Sequence, residues 1–351
     1  MTNLLKGNAL MKLLKKIILI VAAVLVVLVP LGITFTIGWR PFIGPRVRPV
    51  TDRKFEATPA RLERGTYLVN GVNGCFFCHS ERDSNLPGSP PKAGRAGAGA
   101  LLGKDPQLGD VVAPNITPDK ETGIGNWTDD EIARAIREGI ARDGRVLFPI
   151  MPYENFRHMS DEDLASVVVY LRSLPAVHNP LEVMEVPFPV SRLIMGVPAP
   201  ITEPVHDPDM STPLSRGAHL VTLASCANCH TPKDSQGQDM TNLIFAGGFL
   251  LTSPSGKQLA SLNLTPDPSG IPYYDEATFI KTIRTGQIGA RKIDPEMPWG
   301  IYGNMNDDDL KAVWAFLHNL KPVEHHVDNT VEPTMCPLCG SSHGLGKTNK
   351  K

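Results

Sequence analysis

The longest uncharged apolar stretch of the chain lies near its N-terminus and runs from Ile17 to Trp39. At about 1.5 Å per residue, a helix of this length spans about 34 Å, enough to cross a bilayer core of about 30 Å. Pro30 lies inside the stretch, where membrane helices tolerate it. A cleaved signal peptide has a shorter apolar region and ends at a small-residue cleavage site, and no such site follows Val29. The pattern predicts an uncleaved membrane anchor over residues 1–40.

Two later amphipathic helices share one spacing of apolar residues. Starting at Leu164 and again at Leu310, apolar residues recur at i, i+3, i+4, i+7 and i+10. Such a stripe is typical of a helix packed on a core. An earlier helix opens at Thr128, where Glu131 completes a capping box, and its counterpart opens at Asp275. No alternating strand pattern competes, so the expected fold class is all-α.

Other motifs also occur twice and in the same order, which indicates an internal duplication. The pairs are Arg64-Gly65 with Arg216-Gly217, Asn115-Ile-Thr-Pro-Asp119 with Asn263-Leu-Thr-Pro-Asp267, and residues 151–164 with residues 297–310. Nine prolines separate the copies between Pro175 and Pro213, which favours an extended connector. The predicted organisation is the anchor, a first domain (58–175), a proline-rich linker (176–213), a second domain (214–323) and a C-terminal segment (324–351).

Net charge and cysteine spacing limit the kinds of partner and cofactor that the chain is expected to bind. Lys and Arg total 35 against 36 Asp and Glu, a net charge of −1, which argues against a nucleic-acid partner. The six cysteines form three CxxC pairs. Six are too few for a disulfide scaffold at this length, so they indicate a covalently attached cofactor or a metal site.

Two of the pairs are followed directly by histidine. Cys75-Phe-Phe-Cys78-His79 and Cys226-Ala-Asn-Cys229-His230 are both CxxCH, the attachment sequence of c-type haem. Two thiols add across the haem vinyl groups, and the histidine ligates the iron. A single copy could be a redox pair or half of a zinc site, but two copies at the same place in a duplication favour two covalently bound haems.

Each iron then needs a sixth ligand, for which methionine sulfur is the usual choice in electron transfer. Each repeat offers two methionines, eight positions apart. Met159 and Met305 directly precede the predicted N-caps Ser160 and Asn306, where they form hydrophobic staples with Leu164 and Leu310. Met151 and Met297 lie in loops, each before a proline, and have no such packing role. We therefore predict that Met151 and Met297 are the axial ligands.

Two smaller features have both a functional and an ordinary interpretation. The turns at Asn115 and Asn263 could donate hydrogen bonds to haem propionates or be ordinary turns. Trp127 and Tyr274, each just before a helix, could cover a haem edge, although a core role is favoured.

The combined motifs resemble those of membrane-bound dihaem c-type cytochromes. In particular, they resemble the cytochrome c subunits that accept electrons from bacterial alcohol, aldehyde and sugar dehydrogenases. The resemblance covers roughly residues 60–323 and implies that each repeat is a class I cytochrome c domain with a His/Met-ligated haem. Together with the apolar stretch, the expected architecture is an N-terminal transmembrane helix followed by two class I cytochrome c domains. Lys and Arg flank the anchor on both sides and leave its orientation open. The family attaches its haems outside the cytoplasm, which implies a single-pass protein of the bacterial inner membrane with periplasmic haem domains.

Three functions are compatible with these features. The favoured one is an electron carrier that connects a dehydrogenase subunit or quinol-linked donor to a terminal oxidase, with redox proteins and the membrane as partners. A dihaem enzyme (a peroxidase or small-molecule dehydrogenase) would need an open or displaceable iron site, which a methionine in each repeat disfavours. A fixed relay subunit of an oxidase complex would have the same sequence features.

The third pair, Cys336 and Cys339, has glycine rather than histidine at position 340, so a third haem is not expected. Three interpretations remain open. The pair forms a disulfide in an oxidising compartment, it belongs to a zinc site with His343, His325 or His326, or it lies in a flexible tail.

Overall fold

The chain begins with a long apolar helix. The computed structural model describes residues 2–253 and 256–350. Helix α1 (Thr2–Phe35) is followed by the short helix α2 (Arg40–Ile43). From Met11 to Phe35, α1 has a mean hydropathy of 3.1, and none of these residues is buried. By length and composition this segment is a candidate membrane span or signal sequence.

The first repeat consists mainly of helices joined by long loops. A turn of π-helix, Leu68–Val72, directly continues its first helix. The elements are α3 (Pro59–Tyr67), α4 (Cys75–Cys78), β1 (Ala100–Asp105), β2 (Gly109–Ala113), α5 (Asp129–Glu138), α6 (Tyr153–Phe156) and α7 (Asp161–Ser173).

The connector at 176–213 contains one short helix, α8 (Val190–Leu193), followed by a single 3₁₀ turn. The rest of it is irregular, as its prolines predict. Ile194 is buried against Ile140 and Val146 of the first repeat, whereas Phe188 and Leu193 are exposed. The connector therefore lies on the first repeat through a small apolar contact.

The second repeat has helices in the same order as the first, with an additional hairpin. Its elements are α9 (Pro213–Leu223), α10 (Cys226–His230), β3 (Leu250–Thr252), β4 (Gln258–Ala260), α11 (Glu276–Thr285), β5 (Gln287–Ile288), β6 (Arg291–Lys292), α12 (Trp299–Tyr302) and α13 (Asp307–His318). The C-terminal segment adds β7 (Pro333–Met335) and β8 (Ser342–Gly344).

The Arg-Gly motif marks the place where the first and last helices of each repeat touch. A Cβ on Gly65 would lie 2.0 Å from the Ser166 carbonyl oxygen. Arg64, the residue before it, donates two hydrogen bonds of 2.7 and 2.8 Å to Asp163 on α7. Only glycine lets the backbones of α3 and α7 approach this closely. Gly217 and Arg216 make the equivalent contacts to Ala312 and Asp309.

The capping predictions are confirmed. Thr128 and Glu131 form both hydrogen bonds of the capping box, and Asp275 caps α11. Ser160 and Asn306 accept hydrogen bonds from the third residues of α7 and α13. Because these signals depend on residues close together in sequence, they can be identified before the fold is known.

The all-α expectation is confirmed as a mostly helical fold, to which the described residues add short strands. Each of the strands β1–β8 pairs with its sequence neighbour in an antiparallel hairpin. The hairpins are short and mostly exposed, and the β1–β2 register shifts between Leu101 and Gly103. Strands this short show too few alternating positions to be recognised in the sequence. The fold is nevertheless mostly helical.

Polar contacts connect the two repeats. Arg82 forms an ion pair of 3.2 Å with Glu296, and the Asn155 amide donates to Asn228 Oδ1 at 3.0 Å. The Tyr67 hydroxyl donates to Asp309, the same carboxylate that Arg216 holds within the second repeat. These contacts fix the two CxxCH segments relative to each other.

Candidate haem sites

Each CxxCH segment forms a short helical turn that begins after a left-handed residue. Gly74 precedes α4 with φ of 62°, and Ser225 precedes α10 with φ of 57°. A helical turn brings residues i and i+3 onto one face, so the two thiols of each pair lie side by side. Ser225 adopts a conformation that costs a non-glycine residue energy, and such strain is common at functional sites.

Burial perturbs the titrating groups of both segments. Desolvation raises the pKa of the Cys75 and Cys226 thiols to about 12, so both are neutral thiols in the unmodified chain. Burial lowers the pKa of His79 and His230, which favours the neutral imidazole that metal ligation requires.

Both histidine rings are held through one nitrogen. His79 Nδ1 donates to the Pro114 carbonyl at 2.7 Å, and His230 Nδ1 donates to the Leu262 carbonyl at 2.8 Å. A proton fixed on Nδ1 leaves the lone pair on Nε2, the arrangement typical of a metal-bound histidine. The ring orientations therefore suit ligation of a metal through Nε2.

The accepting carbonyls directly precede the repeated Asn-Ile/Leu-Thr-Pro-Asp turns. Asn115 Oδ1 accepts from the backbone N–H of Thr117 at 2.9 Å, and its amide donates to Thr122 and to the Val177 carbonyl. Asn263 holds its turn in the same way. Both amides are thus occupied by the protein, which favours the ordinary-turn interpretation over propionate binding. The sequence did not reveal a second role of these turns: each one positions the backbone carbonyl that accepts the hydrogen bond from the CxxCH histidine.

One continuous cavity of about 3460 Å³ runs past both CxxCH segments. This volume is several times the roughly 300–1,000 Å³ of an ordinary small-molecule site, so the space fits two large cofactors. Trp127 and Tyr274 line the cavity and also pack on the core. Their positions are therefore compatible both with a core role and with a place beside a cofactor. Its lining includes all eight residues that the sequence predicts for the haem sites: Cys75, Cys78, His79, Met151, Cys226, Cys229, His230 and Met297.

The alternative methionines differ between the repeats. Met159 is fully buried in the core and lies outside the cavity lining, whereas Met151 is half-buried and lines the cavity. In the second repeat both Met297 and Met305 line the cavity, although Met305 is almost fully buried. Met151 and Met297 occupy equivalent positions, because each is separated by one proline from the start of a short helix, α6 or α12.

Sequence reasoning also missed the polar residues between the two sites. Arg82, Glu296, Asn155 and Asn228 line the same cavity and form the contacts between the repeats. They share no local motif, so only the folded chain brings them together.

Comparison with known proteins shows what the second repeat and the chain are similar to. Residues 214–321 match the family model "Cytochrome c". The match covers the second repeat alone, and it is this repeat that is similar to cytochrome c. The chain is also similar to the cytochrome c subunit of a quinone alcohol dehydrogenase from Gluconacetobacter polyoxogenes, with 29% identity over 316 residues, 82% of this chain and 62% of the relative. The resemblance to dehydrogenase cytochrome subunits inferred from the motifs is thereby confirmed.

Two other relatives differ in coverage. A nicotinate dehydrogenase subunit from Pseudomonas putida is 35% identical over 236 residues, 66% of this chain but only 19% of that protein. A protein named "Diheme cytochrome c-type" from Cereibacter sphaeroides is 27% identical over 265 residues, 72% of this chain and 84% of the relative. The chain thus spans about a fifth of the first relative and under two thirds of the alcohol dehydrogenase subunit.

Proposed function

We propose that each repeat is a class I cytochrome c domain with one covalently bound haem c. Cys75 and Cys78 attach the first haem, and His79 and Met151 ligate its iron. In the second repeat the attaching residues are Cys226 and Cys229, and the ligands are His230 and Met297. The observation that carries the proposal is the matched pair of histidines, each held through Nδ1 beside its own CxxC pair in one cavity. When bound, the haems supply reversible one-electron chemistry.

The ligand assignment is tested by removing the proposed methionine ligand from one iron at a time. In the reduced protein, Met151→Ala and Met297→Ala should each make about one haem in two bind carbon monoxide rapidly, because each removes one sulfur ligand. Met159→Ala is the matched control: it should lower the free energy of unfolding by about 2–5 kcal/mol without carbon monoxide binding. Rapid binding in the unmodified protein, or in Met159→Ala alone, would contradict the assignment.

The second part of the proposal is electron transfer at a membrane. The apolar α1 segment would anchor the chain in the inner membrane, with the haem domains in the periplasm. Methionine ligation raises the reduction potential of a haem relative to two histidines, which suits transfer towards an oxidase. The names of the relatives favour a dehydrogenase as the donor. A quinol-linked complex is the alternative donor, and the acceptor is a terminal oxidase.

Native membranes provide the test of this function. The cytochrome should co-purify with a dehydrogenase after mild solubilisation, and addition of that enzyme's substrate should reduce both haems. The Met151→Ala protein should assemble normally but transfer electrons more slowly. Rapid turnover of peroxide by the isolated cytochrome, with no reduction by any co-purifying dehydrogenase, would instead support a dihaem enzyme.

A further inference from the structure

Four side chains of the C-terminal segment converge outside the haem sites. The ligand atoms of His325, Cys336, Cys339 and His343 all lie within 4.8 Å of one another, and all four residues are buried. His325 Nε2 lies 3.4 Å from Cys336 Sγ, and His343 Nε2 lies 3.3 Å from Cys339 Sγ. A tetrahedral zinc with bonds of about 2.3 Å to sulfur and about 2.0 Å to nitrogen separates its ligands by about 3.3–3.8 Å. The observed spacing is therefore close to that of a zinc site.

The hydrogen bonds around the cluster prepare these atoms for a metal. His325 Nδ1 donates to the Ala246 carbonyl at 2.9 Å, and His343 Nδ1 donates to the Gly344 carbonyl at 3.1 Å. Both lone pairs on Nε2 consequently face the sulfurs. The Asn349 amide donates to Cys336 Sγ at 3.3 Å, as the second shell of a thiolate ligand does.

A comparison of the two repeats shows why a histidine at position 325 indicates a metal ligand. In the first repeat, the Asn179 amide donates to the Ala98 carbonyl at 2.8 Å. In the second repeat, His325 occupies the equivalent position and makes the equivalent bond to Ala246. An asparagine is sufficient for this structural bond. A histidine makes the same bond and also presents a second nitrogen to the two cysteines.

The local fold disfavours the other two interpretations of Cys336 and Cys339. Both are free thiols, and they pack on the apolar side chains of Leu243 and Ala246 within a folded hairpin rather than a loose tail. A disulfide between them would leave the Nε2 atoms of His325 and His343 buried without a partner for their lone pairs, which is costly.

We propose that His325, Cys336, Cys339 and His343 bind one zinc ion in a closed, four-ligand structural site. Nitrogen and sulfur ligands in a tetrahedron are what Zn²⁺ prefers, and four protein ligands leave no open position for catalysis. The site joins the C-terminal segment to the loop at 245–263 of the second repeat. Gly248, with φ of +91°, lies under the His325 ring, since a Cβ there would be 2.6 Å from its Cε1.

This loop also holds the haem histidine of the second repeat. The Gly247 N–H donates to the His230 carbonyl at 2.8 Å, and His230 Nδ1 donates to Leu262. Metal binding therefore stiffens the loop that orients His230. This consequence rests on the proposed haem function, whereas the zinc site itself does not.

The test uses the full-length cytochrome with its haems. Elemental analysis should give one zinc per chain in addition to the haem iron, and X-ray absorption at the zinc edge should show two sulfur and two nitrogen ligands. Cys336→Ser and His325→Gln should each lower the zinc content by at least tenfold. His326→Gln is the matched control, because the neighbouring His326 lies outside the cluster and pairs with Glu324 instead; it should keep its zinc.

Absorption at the zinc edge is measured on the unmodified protein, so the test stands even if a ligand variant fails to fold. A chain without zinc, whose Cys336 and Cys339 react with an alkylating reagent only after reduction, would overturn the proposal in favour of a disulfide. Equal loss of zinc from His326→Gln and His325→Gln would also overturn it. Because haem is counted separately, failure of the zinc site is distinguishable from failure of the haem proposal.

The effect of the zinc on the loop that orients His230 is measured separately, by hydrogen exchange. Removing the zinc with a chelator should increase amide hydrogen exchange over residues 245–263 but not over the equivalent loop at 97–115 in the first repeat. In that loop the Gly99 N–H donates to the His79 carbonyl at 2.9 Å without a metal cluster. An equal increase in both loops would contradict a local role of the metal.

Discussion

The contact between the first and last helices of the second repeat gives the sharpest stability prediction. A Cβ on Gly217 would lie 2.0 Å from the Ala312 carbonyl oxygen and 2.8 Å from the Phe316 Cβ. Since an ordinary contact of this kind is about 3.4 Å or longer, Gly217→Ala must push α9 and α13 apart by more than about 1 Å. The same displacement would stretch the bond between Arg216 and Asp309, which is 2.5 Å long.

The size of the effect follows from two opposing terms. Alanine gains about 0.8–1.0 kcal/mol over glycine in a helix interior. Overpacking a core costs about 1–3 kcal/mol and more where the obstacle is backbone, which cannot rotate away. Because the obstacle is backbone and the ion pair between Arg216 and Asp309 is also stretched, we expect the overpacking cost to reach the top of its range, and Gly217→Ala to lower the free energy of unfolding by about 2 kcal/mol. That loss is large compared with the roughly 5–15 kcal/mol stability of a typical domain.

Hydrogen exchange measured across α9 and α13, together with the midpoint of urea unfolding, provides the assay. Gly71→Ala is the matched control, because Gly71 is also helical and buried but a Cβ there would meet its nearest atoms at 3.5 Å. The control should be as stable as the unmodified protein or more stable by up to about 1 kcal/mol, because no clash opposes the helix-propensity gain of alanine. If Gly217→Ala were as stable as Gly71→Ala, the explanation of the Arg-Gly motif would be refuted.

Two further predictions concern buried polar groups. Asp130 is fully buried, and although burial alone would raise its pKa, hydrogen bonds from Arg48 and Thr51 hold the pKa below its ordinary value. Its stabilising contribution is therefore present above the unfolded-state pKa and lost as the pH falls through the folded-state pKa. Arg48→Gln should cost about 3–5 kcal/mol and move the midpoint of acid unfolding to higher pH; an unchanged midpoint would contradict this linkage. Tyr67→Phe removes the hydroxyl that donates to Asp309 across the repeats and should cost about 1.5–3 kcal/mol. A double-mutant cycle with Asp309→Asn checks it, and a coupling energy near zero would show that this contact does not connect the repeats.

Local signals account for what the sequence predicts well. The capping box at Thr128 and the caps at Ser160 and Asn306 depend on residues three apart, so the helix starts could be placed from the sequence. The CxxCH segments are likewise contiguous, and the structure places both of them in the lining of one cavity. Each of these elements is specified by residues that are close together in the sequence.

Features that depend on distant residues could not be placed in the same way. The Arg-Gly motif was visible as a repeat. The need for its glycine comes from a close backbone contact with Ser166 or Ala312, about a hundred positions away. The Asn115 turn was visible too, yet its role in holding His79 through the Pro114 carbonyl appears only in the folded chain.

The zinc cluster shows the same limit. The Cys336 and Cys339 pair is evident in the sequence, but His325 and His326 are equally plausible partners by spacing. The fold turns His325 inwards and His326 outwards. The choice of ligand is therefore made by tertiary structure rather than by sequence spacing.

The count of covalently bound haems tests the central claim most directly. The full-length protein is denatured, free haem is extracted with acidified solvent, and the haem that stays on the chain is quantified per chain. We predict two haems in the unmodified protein and one in the Cys226→Ala/Cys229→Ala variant, because each CxxCH segment attaches its own cofactor. A single haem in the unmodified chain, or haem that the solvent extracts completely, would contradict the account.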